Sequence, residues 1–150
     1  MERLKNFFYP AIEFLLILLW VYAALSKLFS FDEFRAQMYN QTFPHWMASS
    51  LIYLLPPVEL ATALLLVPKI TRMIGLISSL VLLASFTAYI SLVLLNFWAQ
   101  VPCSCGGILQ HMGWKIHWGF NLIFVALTII AIRSCIKERS YSDKQKFVLK

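Results

Sequence analysis

Four apolar runs divide this chain, at about residues 10–28, 47–67, 73–99 and 114–133, and the polar positions collect in the stretches between them and in a basic segment at 135–150. Each run has about the 20 residues that carry an α-helix across a bilayer's hydrocarbon core. In that solvent every backbone N–H and C=O must be paired within its own segment, so a helix is the conformation such a run adopts. The pattern predicts an all-α membrane protein, a four-transmembrane-helix bundle over 1–134 followed by a basic tail. Pro10 and Glu13 suit the first turn of the first span. Arg3 and Lys5 before an apolar run resemble the start of a signal peptide, but no small-x-small cleavage site follows, because Lys27, Phe29, Phe31 and Phe34 come next. A retained first helix is expected.

Between the first two runs the polarity pattern changes. Aromatic residues at 31, 34, 39, 43 and 46, with Ser30 and Glu33 spaced as a capping box, predict a short interfacial helix that anchors the chain in the headgroup layer. His45 beside Trp46 reads as part of that anchor. The second run carries Pro56, Pro57 and Glu59. Tandem prolines free backbone carbonyls and kink a helix, which a bilayer interior accepts only where neighbouring helices or water cover the break, so this face points into the bundle. Glu59 is the deepest charge, expected to be protonated or paired: a neutral acid bonded to a freed carbonyl, or a participant in proton transfer or in holding a polar headgroup. Ser78, Ser79, Ser85, Thr87 and Ser91 in the third run read as small residues for close helix packing.

Composition supports the membrane reading and charge orients it. Of the 150 residues 60% are hydrophobic and 13% charged, against about 45–50% and 25% in soluble domains. Ten of the thirteen basic residues (Arg3, Lys5, Lys69, Arg72, Arg133, Lys137, Arg139, Lys144, Lys146, Lys150) fall on one side of the predicted bundle, and Lys27, Arg35 and Lys115 on the other. The positive-inside rule then puts both termini and the 135–150 tail in the cytoplasm. The net charge of +6 is accounted for by this asymmetry and by anionic lipid, and calls for no nucleic-acid partner.

The orientation places Val101-Pro-Cys-Ser-Cys-Gly-Gly107 on the outer side, where disulfides form and persist. Cys103 and Cys105 are one residue apart, so a bridge between them needs a tight turn, and Gly106 and Gly107 supply the backbone freedom for it. Such a bridge is strained, which raises its reduction potential, and its short loop makes it a poor staple. A pair of this kind suits electron exchange. A helical turn at 108–110 would bring Cys105 near a helix N-terminus and favour its thiolate. Cys135, at the cytoplasmic end of the last run, is an inert bystander. Trp114, His117 and Asn121 follow at i, i+3 and i+7, one stripe of the final helix, with His117 placed to act as base, proton relay or metal ligand, or to bond the loop backbone. A soft metal site for copper from Cys103, Cys105, His111, Met112 and His117 is the alternative chemistry, and a non-catalytic subunit of a membrane assembly is a third.

Ser26-Lys27-Leu28 at the end of the first span, Pro57-x-Glu59 in the second, and Pro102-Cys103-Ser104-Cys105-Gly106-Gly107 ahead of Trp114, His117 and Asn121 resemble the MauE and DoxX group of small four-helix membrane proteins. The resemblance covers roughly residues 10–133. It implies a redox-associated protein of the bacterial inner membrane, with Cys103 and Cys105 in thiol-disulfide exchange and Lys27, Glu59, Gly106, Gly107, Trp114, His117 and Asn121 in support. It also implies an exported thioredoxin-like partner or a cysteine-containing client. The architecture is similar to the four-helix core of membrane enzymes that generate disulfides and pass electrons to quinone, so a quinone is the one cofactor this reading admits. Those enzymes carry Cys-x-x-Cys and a second, shuttling pair, whereas this chain has a single outer pair, which moves the second dithiol to a partner.

Overall fold

A computed structural model of the chain describes residues 2–41, 44–95, 97 and 113–148, with side chains described for those between 9 and 138. These residues are helical and contain no strand. The helices are α1 (Glu2–Phe29), α2 (Phe31–Tyr39), α3 (His45–Leu66), α4 (Arg72–Leu94) and α5 (Trp114–Val148). Among the described residues four segments are long and apolar enough to cross a membrane: Tyr9–Phe29, His45–Leu66, Arg72–Leu94 and Trp114–Glu138. Large apolar side chains such as Phe14, Leu18, Leu64, Ile74 and Ile123 lie on the outer surface of the bundle, the arrangement expected of helices whose solvent is lipid rather than water.

Several boundaries differ from the sequence pattern. α1 begins at Glu2, so Pro10 lies inside the helix rather than in its first turn. Helical conformation also continues through the basic tail to Val148, because no proline or glycine interrupts it after Gly119. α3 is helical through Pro56 and Pro57, and of the two prolines expected to face the bundle only Pro56 is buried while Pro57 is exposed, because successive helical positions point about 100° apart. Ser30 is the N-cap of α2, but its side chain makes no capping hydrogen bond, and Glu33 instead accepts one from Gln37 Nε2 at 3.2 Å. The expected capping box is therefore not formed.

The core has two parts. Ile12, Leu16 and Trp20 of α1 pack with Ala63 and Leu66 of α3, Leu76 and Leu83 of α4, and Ala131 and Cys135 of α5. Trp20 Nε1 donates to Ser79 Oγ at 2.9 Å within this layer, so Ser79 satisfies a buried indole as well as permitting close packing. The second part lies under α2, whose Phe34 and Met38 are buried against Ala48, Ile52 and Leu55 of α3. Phe34, expected as an anchor, is thus a core residue. Where the chain turns from α3 to α4, Arg72 pairs with Glu13 at 3.2 Å and with Glu138 at 3.7 Å, tying the start of α4 to α1 and α5.

Candidate functional site

Lys27 sits in the last turn of α1, where a cation complements the carbonyl end of a helix. Its Nζ donates to the Ala23 carbonyl at 3.0 Å and to Glu59 Oε1 and Oε2 at 2.8 and 3.1 Å. An ammonium has three donors, and these three acceptors match that number. Glu59 is completely buried. The expectation that this acid is protonated or paired therefore resolves to pairing, and a neutral acid bonded to a proline-freed carbonyl is not what forms. The physical reason is reach: the four-carbon stem of Lys27 lets its charged end extend into the bundle interior. The ammonium also lies 5.9 Å from the centroid of the Phe34 ring.

This ion pair lines a cavity of about 490 Å³ bordered by residues of α1, α2, α3, α4 and α5. The walls are mostly apolar, and Trp114, His117 and Asn121 all line it. The helical stripe drawn from spacing alone therefore converges, through the fold, on Lys27 and Glu59. Asn121 is 5% exposed, and its Nδ2 is buried without a hydrogen-bond partner.

Two polar residues of the cavity wall, Gln41 and Tyr89, have no counterpart in the sequence reading. The Tyr89 hydroxyl donates to Gln41 Oε1, joining α4 to the chain just after α2. The available signal was a tyrosine inside an otherwise uncharged apolar run, since a phenol in hydrocarbon needs a partner. Ser85, Thr87 and Ser91 donate to carbonyls four residues back, and Ser91 Oγ also accepts from Trp118 Nε1 at 2.9 Å.

Cys103, Cys105, Gly106, Gly107, His111 and Met112 lie outside the described residues. Of the alternative copper ligands only His117 is described. Among the described residues no group of three or more His, Cys, Asp or Glu side chains is placed to hold a metal. Cys135 is buried in the core of the bundle, in keeping with an inert thiol.

A family model described as methylamine utilisation protein MauE matches residues 5–134. The methylamine utilization protein MauE of Paracoccus denitrificans is 31% identical over 122 residues, covering 79% of this chain and 65% of the relative, so the chain spans somewhat less than two thirds of that protein's length. No solved structure matches. A family match over residues 5–134, most of the chain, shows that this chain, with its four membrane-length helices, belongs to the MauE family.

Proposed function

We propose that this chain exchanges thiols and disulfides with an exported protein during the assembly of a methylamine-utilisation system, from the inner membrane of a bacterium. The observation that carries the reading is the Cys103-Ser-Cys105-Gly-Gly sequence between the third and fourth spans, on the side that carries three of the thirteen basic residues. Charge asymmetry supports a periplasmic position for that loop and a cytoplasmic one for both termini. The relative's name supports the connection with methylamine utilisation.

The exchange is self-balanced. A Cys105 thiolate attacks one sulfur of the partner's disulfide, forming a mixed disulfide and releasing one partner thiolate. Cys103 then attacks Cys105 Sγ, releasing the second partner thiolate and leaving a Cys103–Cys105 disulfide. Two electrons and two protons pass from this chain to the partner, and the reverse sequence oxidises the partner. The partner is a thioredoxin-like protein or a cysteine-containing client, and with a single pair in this chain it supplies the second dithiol.

Cys103→Ser should accumulate a disulfide-linked adduct on a non-reducing gel, because the resolving thiol is gone, while Cys105→Ser accumulates little. Trapping by Cys105→Ser alone would exchange the two roles. Absence of an adduct from both variants, with stoichiometric copper on the purified protein that both variants lose, would replace exchange by a metal site.

A further inference from the structure

The cavity beneath α2 has three features that together define what fits it. Its volume of about 490 Å³ lies inside the range of roughly 300–1,000 Å³ seen for small-molecule sites, and its walls are predominantly apolar. It reaches the lateral surface of the bundle: Leu54 of α3 is 59% exposed and Ser85 of α4 is exposed, and both line it. In a membrane that surface faces lipid, so an occupant enters from the bilayer. Asn121 lies in the α5 wall of the cavity, and its Nδ2 is buried without a partner.

The charged groups of the wall restrict the occupant further. The donors of Lys27 are matched by Ala23 and by both oxygens of Glu59, so the pair compensates itself and leaves no charge to bind a carboxylate or phosphate. Asn121 offers an N–H to a carbonyl oxygen and, through its own oxygen, an acceptor to a hydroxyl; the imidazole of His117, one turn away on the same stripe, has the same dual capacity. A buried amide left unpaired is unfavourable for the empty fold, and turning the Asn121 side chain toward a ligand oxygen in the cavity removes that deficit.

We propose that this cavity binds a neutral, membrane-derived amphipath whose apolar body fills the space between α3 and α4 and whose carbonyl or hydroxyl head bonds the Asn121 amide. No cysteine takes part, so the proposal stands independently of thiol exchange. Two membrane sources carry this chemistry: isoprenoid quinones and neutral glycerides.

Trp20 and Trp114 line the cavity and provide the readout. The full chain in lipid nanodiscs is titrated with a short-chain ubiquinone, and bound quinone is competed with dioleoylglycerol or with oleate. We expect saturable quenching of tryptophan fluorescence by the quinone or saturable binding of the diacylglycerol, with the winning arm naming the source, and no competition by oleate. Asn121→Leu removes the amide at similar volume and should weaken binding at least tenfold while the protein stays folded. Ser85→Phe, at an exposed position of the mouth, should do so by obstruction and carries the test if Asn121→Leu does not fold. Quenching that rises linearly and equally in the parent and both variants, or oleate competing as well as the neutral ligands, would overturn the proposal.

Discussion

A lysine and a glutamate 32 positions apart in the chain form the best-buried ion pair among the described residues, with Nζ–Oε1 at 2.8 Å and side-chain exposures of 11% and 1%. Burying two charges gives little net stability, but removing one partner leaves the other uncompensated in the interior, typically at a cost of ~3–5 kcal/mol. Lys27→Met and Glu59→Leu should therefore each destabilise the protein severely, whereas the double substitution should recover most of the loss. Unfolding in mild detergent, followed by circular dichroism, measures this cycle. Additive losses in the double variant would mean that the two side chains do not depend on each other. Neither residue announces the pairing by its neighbours in sequence. Ser26-Lys27-Leu28 reads as an interfacial helix end and Glu59 as an isolated deep acid, and what joins them is the packing of α1 against α3.

Helix α4 begins where the chain turns back from α3, and the turn is tight. Thr71 Oγ1 donates to the Leu65 carbonyl at 2.9 Å, and Gly75 lies so close to the end of α3 that an added Cβ would be 2.8 Å from Leu66 N and 2.9 Å from Leu65 C. Those are backbone atoms and cannot step aside as a flexible side chain would. Gly75→Ala should accordingly destabilise the bundle by about 1–3 kcal/mol, the usual effect of overpacking. Gly119→Ala on α5, where nothing lies within 4 Å of the added carbon, should leave stability unchanged or raise it through better helix propensity. Thermal unfolding of the two variants side by side distinguishes them, and equal losses would contradict the close approach at Gly75. The existence and approximate limits of the spans were legible from hydropathy, because hydrocarbon imposes helix on any sufficiently long apolar run. The role of Gly75 was not, since its constraint comes from residues of the neighbouring helix.

At the scale of the molecule, the ten-to-three division of basic residues carries the expectation that both termini are cytoplasmic. Cys135 is a poor reporter of it, because burial inside the bundle shields the thiol from either side. Exposed positions serve better: Phe29 at the end of α1 is 84% exposed and Ile70 in the α3–α4 turn is 86% exposed. In a background with all three native cysteines replaced by serine, Phe29→Cys should react with an impermeant maleimide on intact cells. Ile70→Cys should react only after permeabilisation, and the inverse pattern would reverse the orientation and remove the oxidising compartment from the thiol argument.

The order and number of the spans, the inward placing of Pro56 and Glu59 in the second, the one-sided stripe of Trp114, His117 and Asn121, and the placing of the cysteine pair between the last two spans are all properties of the linear sequence. They follow from periodicity, from the demand that backbone groups pair in hydrocarbon, and from charge. Tertiary structure alone decided that Lys27 meets Glu59, that Phe34 is core rather than anchor, and that Gln41 and Tyr89 join across the wall of a cavity bordered by Asn121. Those outcomes depend on which helix lies beside which and at what height, and contacts between residues tens of positions apart are set by how whole helices pack, which no local pattern encodes.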